Sequence, residues 1–301
     1  MDKEVVINKQ KLKLTNLDKL YWPDEKITKG DLIEYYREVS KYILPYLKDR
    51  PQSLNRYPNG IKGKNFFQKD VGNMPPDWVS TYKILSESTN KKVNYIVCRN
   101  EATLLYMVNL GCIEINPWSS RIQSLETPDY LAIDLDPEGI SFDSVVETAL
   151  AVKEVLDEAE ISSYCKTSGK TGMHIFIPLK AKYNFEITKE FAHIIAKITH
   201  DKVPGITSLE RSPSKRKKKV YIDFLQNNIG QTLAAPYSVR PSPGAAVSTP
   251  LLWKEVKRGL DPHDFNIKNT SKRISKIGDI FYDVLRKGTD IEKKLKKLDY
   301  A

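Results

Sequence analysis

The sequence predicts an α+β protein whose second half folds as a sheet in the order β-α-β-β-α-β. Three observations predict it: alternating apolar segments typical of strands, apolar residues at helical spacing between them, and a glycine-containing loop joining the two middle strands. The chain has 301 residues, of which 40% are hydrophobic and 29% charged, which excludes disordered and collagen-like classes. No apolar run approaches the ~20 residues that span a bilayer, and the N-terminus lacks a signal-type apolar segment. We therefore expect a soluble, cytoplasmic protein with no membrane partner.

The first region, residues 1–125, is predicted to mix helices and strands. Residues 31–48 carry apolar side chains on one helical stripe, behind a capping-box pattern at Thr28 and Asp31. Residues 100–110 read as a short helix that begins at an asparagine and ends at a glycine, between strands at 95–98 and 112–116.

The second region, residues 126–301, is predicted to share one compact unit with the first. Its elements follow in a fixed order: strand 129–136, helix 141–159, strand 162–167, loop 168–172, strand 173–179, helix 188–203 and strand 220–226. This is the split βαβ, or ferredoxin-like, pattern, whose strands usually take the order 4-1-3-2. Residues 227–255 read as loops with short strands, and 271–297 as a basic helical tail.

Charge content indicates the class of partner, and cysteine content indicates the state of the thiols. Lys plus Arg exceed Asp plus Glu by 48 − 38 = 10, which favours a polyanionic partner, either nucleic acid or another anionic surface. Cys98, Cys112 and Cys165 are too widely spaced for a CxxC zinc motif and are odd in number, so we expect three buried, unpaired thiols.

Acidic side chains collect on one face of the predicted sheet. Asp134 and Asp136 alternate with apolar residues in the first strand, and the predicted strand order places Asp223 and His174 on the two neighbouring strands. Carboxylates ~5 Å apart repel by about 3 kcal/mol, and a divalent cation such as Mg²⁺ or Mn²⁺ removes this repulsion. The alternative is that Asp136 only starts a turn and that Asp134 is solvated.

The loop SGKTG at 168–172 combines backbone N–H groups, a hydroxyl and an ammonium, which are the components of a phosphate-binding loop. It would bring Ser168 and Lys170, together with His174, beside the acidic face. A hairpin turn that requires glycine explains the same residues equally well.

Basic and aromatic segments are candidates for nucleic-acid contact. A loop before the last strand carries Arg211 and the run Lys215, Arg216 and Lys217, continuing to residue 219; it either contacts a phosphate backbone or is a solvated surface. Phe66 and Phe67 lie in a polar segment, where they either stack on bases at ~1–3 kcal/mol each or anchor a loop.

Seven segments together resemble one family. In chain order they are LTNLDKLYWPDEKITKGDL, NFFQKD, GCIEINPW, YLAIDLDPEG, KTSGKTGMHIFIPL, VYIDFLQN and TLAAPYSVRPSPGAAVSTPL. The chain resembles the polymerase domain of bacterial DNA ligase D, a branch of the archaeo-eukaryotic primase superfamily that acts in non-homologous end joining. The resemblance implies a primase-like fold, with the catalytic βαββαβ sheet packed against the N-terminal region.

The resemblance also implies roles for the candidate residues. Two Mn²⁺ or Mg²⁺ ions would be held by the catalytic carboxylates Asp134, Asp136 and Asp223. The incoming NTP or dNTP would be held by Ser168, Lys170, His174 and Arg240, with Phe66 and Phe67 stacking on a base. Relatives often have histidine at the positions of Asn116 and Asp70, so Asn116 is kept as a possible nucleotide contact and Asp70 is left out.

DNA with a gap, an overhang or a double-strand break is the implied partner. Asn16, Lys19 and Lys29 would bind the 5′-phosphate at the far side of a gap, and the 211–219 loop would contact template. Family members favour ribonucleotides, extend primers, fill gaps and bridge ends, working with Ku and a DNA ligase or ligase domain at the prokaryotic nucleoid. Whether the chain is a whole protein or part of a longer ligase stays open.

Two rival classes fit parts of the pattern. An RRM-like, non-catalytic nucleic-acid-binding module has the same element order, but it presents aromatic side chains where this chain has Asp134, Asp136 and His174. A nucleotide-sugar glycosyltransferase would use the paired aspartates for metal but would not need Asp223 or the basic loop.

Overall fold

A computed structural model describes residues 2–86 and 89–298. It divides into two compact units, each built from separate stretches of chain. Unit 1 comprises Met1–Gln123, Thr232–Ser248 and Phe265–Gly278, and unit 2 comprises Ser124–Gln231, Thr249–Asp264 and Asp279–Ala301. Within the described residues no helix is both long enough and apolar enough to cross a membrane. The prediction that residues 1–125 carry the 5′-phosphate and base-stacking elements and residues 126–301 the catalytic sheet stays a prediction.

The elements of the described residues follow in chain order. The strands are β1 (Lys3–Ile7), β2 (Gln10–Leu14), β3 (Leu20–Trp22), β4 (Ile27–Thr28), β5 (Gln52–Arg56), β6 (Phe66–Gln68), β7 (Thr81–Ser86), β8 (Lys91–Ile96), β9 (Cys112–Pro117), β10 (Tyr130–Pro137), β11 (Tyr164–Thr167), β12 (Met173–Pro178), β13 (Thr207–Ser208), β14 (Val220–Asp223) and β15 (Pro250–Leu251). The α-helices are α1 (Lys29–Glu38), α2 (Ser40–Leu47), α3 (Glu101–Asn109), α4 (Phe142–Glu158), α5 (Phe185–Lys202), α6 (Thr270–Ile277) and α7 (Ile291–Leu295).

The first helices of unit 1 follow the predicted capping signals. The Thr28 hydroxyl accepts a hydrogen bond from the Asp31 N–H and the Asp31 carboxylate accepts one from the Thr28 N–H, which confirms the capping box. The single helix predicted over 31–48 is two helices, because the backbone at Val39 leaves helical geometry with ψ near 2°. Pro45, which has no N–H to donate, lies in the second of them.

A three-stranded sheet, β6-β5-β9, carries the polar candidates of unit 1. Its register places Asn55 opposite Phe67 on one side and opposite Glu114 on the other, so these three side chains share one face. Tyr36, buried in α1, donates its hydroxyl to the carbonyl of Ile113 and secures strand β9 from the other side.

Unit 2 contains a six-stranded sheet in the order β13-β14-β10-β12-β11-β15. Its four central strands have the predicted order 4-1-3-2, which is thereby confirmed, and they pair antiparallel. Leu131, Ile133 and Leu135 of β10 are fully buried beneath α4 and α5. Because strand side chains alternate, Asp134 and Asp136 lie on the opposite face.

Strand β14 ends at Asp223, three residues earlier than predicted. Beyond this point the side-chain amide of Asn227 takes the place of the strand-to-strand hydrogen bonds of β14. Its Oδ1 accepts from the Ala132 N–H at 2.9 Å and its Nδ2 donates to the Ala132 carbonyl at 2.7 Å. The backbone of β10 is therefore satisfied although its partner strand has ended.

The basic tail predicted to be helical over 271–297 is helical only in part. Helix α6 ends at Ile277, since the next residue, Gly278, has a φ of +74° that is outside the helical region, and α7 covers only Ile291–Leu295. Residues 299–301, at the end of the predicted second region, lie outside the described residues. The cysteine prediction is confirmed, because Cys98, Cys112 and Cys165 are buried and unpaired.

Candidate functional site

Four polar side chains stand in register across the central strands of unit 2. Asp223 pairs with Asp134, Asp134 pairs with His174, and His174 pairs with Lys166. We call these four residues the polar row. Directly opposed side chains in an antiparallel sheet lie close enough to interact, so the row joins a lysine, a histidine and two carboxylates.

The middle of the polar row is in direct contact. His174 Nε2 lies 3.4 Å from Asp134 Oδ1, and His174 Nδ1 lies 2.7 Å from Lys166 Nζ. The sequence analysis missed Lys166. Lys166 could have been found from the length of the loop. A hairpin that pairs Thr167 with Met173 across the loop must also pair Lys166 with His174.

Asp223 forms the acidic end of the row. Its carboxylate accepts hydrogen bonds from the Leu225 N–H at 2.8 Å, the Gln226 amide at 3.1 Å and the Tyr221 hydroxyl at 3.3 Å. Burial nevertheless raises the pKa of Asp223 above its ordinary value, since it outweighs the lowering by these hydrogen bonds. A cation beside this carboxylate would therefore stabilise its ionised form.

Asp136 lies two residues from Asp134 on the same face and is held by the basic loop. Its Oδ2 lies 3.0 Å from Nη1 of Arg216, which is buried, and the guanidinium carbon of Arg216 lies 4.2 Å from the centre of the Tyr221 ring. Arg216 also donates to the carbonyl of Arg211. Arg216, predicted as a DNA contact, here neutralises a predicted metal ligand.

The donor chemistry of this face suits a hard divalent cation, since Asp134 and Asp223 are opposite each other and Asp136 follows on the same strand. Among residues 2–86 and 89–298, however, no three His, Cys, Asp or Glu side chains are gathered closely enough to hold a metal ion. Asp136 is instead in an ion pair with Arg216. Metal ligation by the three carboxylates stays a prediction.

The loop at 168–172 is closed by its own serine. The Ser168 hydroxyl oxygen accepts hydrogen bonds from the N–H groups of Lys170 and Gly172. Gly172 lies so close to β10 that a Cβ would stand 2.2 Å from the carbonyl oxygen of Leu135. The glycine thus lets the loop sit directly against the strand that carries the aspartates.

The predicted lysines of the basic loop surround a cavity. Lys215, Lys217 and Lys219, with Ser208 and Ser214, contribute to the lining of a space of about 610 Å³. Several positive charges around one concave surface suit phosphate groups of a nucleic-acid backbone.

The stacking candidates of unit 1 are exposed. Phe66 is 45% and Phe67 59% exposed on the short strand β6, and the guanidinium of Arg56 lies 5.1 Å from the Phe66 ring centre. Asn116, by contrast, is buried, with its amide 3.4 Å from the carbonyls of Ser53 and Glu114. The two phenylalanines are thus available for base stacking, whereas the Asn116 amide is engaged by the backbone.

Arg240 is held by a carboxylate that the sequence analysis missed. Its Nε lies 3.2 Å from Glu114 Oε2, and the Asn55 amide donates to the same oxygen at 3.3 Å. Both side chains of the ion pair are largely buried. The available signal for Glu114 was a charged residue between two isoleucines in the strand CIEINP.

The three candidates for a 5′-phosphate pocket lie together in unit 1. The Lys29 N–H donates to the Lys19 carbonyl at 2.8 Å, and the Lys19 N–H donates to the Asn16 carbonyl at 3.1 Å. Lys29 is buried, and its ammonium donates to the Thr15 carbonyl and to Asn109 Oδ1. Burial, reinforced by the charge of Lys19, lowers the pKa of Lys29 to about 8.

A central 4-1-3-2 sheet with paired aspartates on one face, beside a loop closed by a serine and a glycine, fits a nucleotidyltransferase of the primase-polymerase class. Comparisons with known proteins agree. Residues 28–281 match the family model of the LigD primase-polymerase domain. The chain belongs to the LigD primase-polymerase domain family.

Named relatives share the match over most of this chain. The bifunctional non-homologous end joining protein LigD of Bacillus subtilis is 36% identical over 93% of this chain and 45% of its own length. The multifunctional LigD of Pseudomonas aeruginosa is 28% identical over 88% of this chain and 32% of its own length. The chain thus spans less than half the length of these relatives. The polymerase domain of Mycobacterium tuberculosis ligase D, solved in complex with DNA, matches with a TM-score of 0.86 at 26% identity, covering 92% of this chain and 99% of that one.

Proposed function

We propose that this chain is a template-dependent polymerase that extends a primer at DNA gaps and broken ends during non-homologous end joining. The observation that carries the proposal is the polar row, in which Asp134 is flanked by Asp223 and His174, with Asp136 on the same face. The names of the LigD relatives and the DNA complex of the mycobacterial domain support the choice of DNA as substrate.

The catalytic role is assigned to the three carboxylates. Asp134, Asp136 and Asp223 would hold two divalent cations, Mn²⁺ or Mg²⁺. Bound there, such cations activate the primer 3′-hydroxyl and neutralise charge on the pyrophosphate. The carboxylates supply the negative charge that recruits them, and Arg216 has to release Asp136 before that carboxylate can take part.

The nucleotide role is assigned to donors beside the row. His174, the Ser168 hydroxyl and the Lys170 ammonium would bind the triphosphate of an incoming nucleotide. In the reaction the primer 3′-hydroxyl gives up its proton to solvent and its oxygen bonds to the α-phosphorus. The bond from that phosphorus to the oxygen that bridges it to the β-phosphorus breaks, and pyrophosphate leaves. From unit 1, Arg240 and Asn116 are assigned to the nucleotide.

The remaining candidates are assigned to DNA. Phe66 and Phe67 would stack on a base, and the loop at 211–219 would contact the template backbone. Asn16, Lys19 and Lys29 would bind a 5′-phosphate. We further propose a preference for ribonucleotides, action together with Ku and a DNA ligase or ligase domain, and a location at the nucleoid.

Primer extension on a gapped duplex with a 5′-phosphate tests the proposal. Wild type, Asp134→Ala, Asp223→Ala and the control Asp201→Ala are compared with Mn²⁺ or Mg²⁺ and with ribo- or deoxynucleotides. Asp201 is an exposed carboxylate of α5 in the same unit, so its loss removes equal charge without touching the row.

We expect extension by wild type and by Asp201→Ala, no extension by the other two variants, and a higher kcat/KM for ribonucleotides. Full activity of Asp134→Ala would contradict the assigned chemistry. Tight binding of DNA without extension by wild type would favour the non-catalytic RRM-like module instead.

A further inference from the structure

Lys166 is a buried cation that the assigned roles leave unused. It lies in β11, between β12 and the short edge strand β15 of the sheet of unit 2, and none of its surface is exposed. Its ammonium lies 5.6 Å from the centre of the Phe176 ring, over an aromatic face that attracts a cation. An ammonium buried to this extent is costly unless hydrogen bonds and opposite charge compensate it.

The compensation runs along the polar row. Lys166 Nζ lies 2.7 Å from His174 Nδ1, and the other ring nitrogen, Nε2, lies 3.4 Å from Asp134 Oδ1. A positive group and a carboxylate therefore stand at opposite ends of one imidazole. The ring connects them, and its two nitrogens must carry protons in a way that suits both neighbours.

The two neighbours select one arrangement. The Lys166 ammonium carries N–H donors and no acceptor, so a hydrogen bond at 2.7 Å requires a lone pair on the nitrogen that faces it. Nδ1 of His174 then accepts, and the proton of the neutral ring is on Nε2. The opposite tautomer would place a lone pair of Nε2 against the carboxylate of Asp134.

We propose that Lys166 is a positioning residue that fixes His174 as the neutral tautomer with its proton on Nε2. The Nε2–H group is then a donor on the side of the ring where Asp134 lies, 3.4 Å away. The purpose of this arrangement rests on the proposed function. It presents an N–H donor, and not a lone pair, to the anionic oxygens of the nucleotide.

Nitrogen NMR of protein labelled with ¹⁵N-histidine tests the assignment directly. The chain has four histidines, and the His174 signals are identified by their loss in His174→Gln. Long-range ¹H–¹⁵N spectra at one neutral pH distinguish the two neutral tautomers and the doubly protonated ring. We expect the pattern of a ring protonated on Nε2 only, with Nδ1 accepting a hydrogen bond. A ring protonated on Nδ1, alone or together with Nε2, overturns the proposal.

Two variants separate the hydrogen bond from packing. Lys166→Met keeps the length and apolar stem but has no donor, whereas Lys166→Gln keeps an N–H donor without the charge. We expect the accepting signature of Nδ1 to be lost in Lys166→Met and retained in part in Lys166→Gln. An unchanged His174 spectrum in Lys166→Met overturns the proposal. Should neither variant fold, the wild-type spectrum alone decides.

Kinetics test the purpose of the contact. A charge-assisted hydrogen bond is worth about tenfold or more in binding, so Lys166→Met should raise the KM for the incoming nucleotide about tenfold with a smaller change in kcat. An unchanged KM in a variant whose NMR signature is lost overturns that purpose. Failure of wild type to extend a primer, with the expected tautomer present, refutes the proposed function and leaves the tautomer assignment standing.

Discussion

Recognition of a 5′-phosphate should weaken as the pH rises through 8, because Lys29 loses its charge there. Burial holds the pKa of Lys29 at about 8, against 10.5 for an ordinary lysine. A bound phosphate dianion would favour the charged form and restore it, so binding takes up a proton wherever free Lys29 is neutral. At pH 7 about nine in ten free molecules are protonated, and at pH 9 about one in ten, which predicts a loss of about tenfold in affinity.

Fluorescence anisotropy with two gapped duplexes, one with the 5′-phosphate and one without, measures how much the 5′-phosphate contributes to the binding affinity. The ratio of the two affinities at pH 7, 8 and 9 removes pH effects that are common to both duplexes. Lys29→Met should show a low ratio at every pH. Lys41→Met removes an exposed lysine of the same unit and should keep the wild-type pH dependence. A ratio that stays constant from pH 7 to 9 in wild type would refute the reasoning.

The same shift has a consequence for stability, with a definite sign. Between about pH 8 and 10.5 the unfolded chain binds a proton that folded Lys29 has lost. The free energy of unfolding from this group therefore rises with pH across that window and is lowest below about pH 8. Urea unfolding of wild type and Lys29→Met at pH 7.5 and 9.5 should show this rise in wild type only.

Three further changes have expected magnitudes. Phe67→Ala should weaken binding of single-stranded DNA by ~1–3 kcal/mol in a titration while leaving the urea midpoint nearly unchanged, because the ring is exposed. Gly172→Ala should destabilise the protein by about 1–3 kcal/mol in urea, since the new methyl meets the Leu135 carbonyl; an unchanged midpoint would contradict the close approach. Glu114→Gln should lower the unfolding free energy by about 3 kcal/mol and raise the KM for nucleotide, as it leaves buried Arg240 without its counter-charge; an unaltered KM would separate Arg240 from nucleotide binding.

Local pattern was sufficient to predict the acidic part of the site. Alternation along β10 places Asp134 and Asp136 on one face, and the strand order of a split βαβ sheet brings His174 and Asp223 to the flanking strands. Alternation is a short-range rule and strand order is a topological one, so both can be applied to a single sequence. The fold class was predictable for the same reason.

Pairings between distant side chains were not predictable in this way. The contacts of Arg216 with Asp136 and of Glu114 with Arg240 join residues 80 or more positions apart, and no periodicity relates them. The early end of β14 has a similar cause, because it depends on Asn227 reaching back to Ala132. Such contacts arise only once the backbone is folded.

The interleaving of the two units affects how the protein is made. Strand β9 is synthesised early, but the hydrogen-bond partners of Ile115 are synthesised much later. The Ile115 N–H donates to the hydroxyl of Ser238, 123 residues further along the chain, and the Ile115 carbonyl accepts from the N–H of Ala235. Nascent chains generally fold from the N-terminus as they emerge, but unit 1 lacks its last segment until Gly278 has left the ribosome. A stop codon before Gly278 would therefore also leave unit 1 incomplete, although its first segment had already been synthesised.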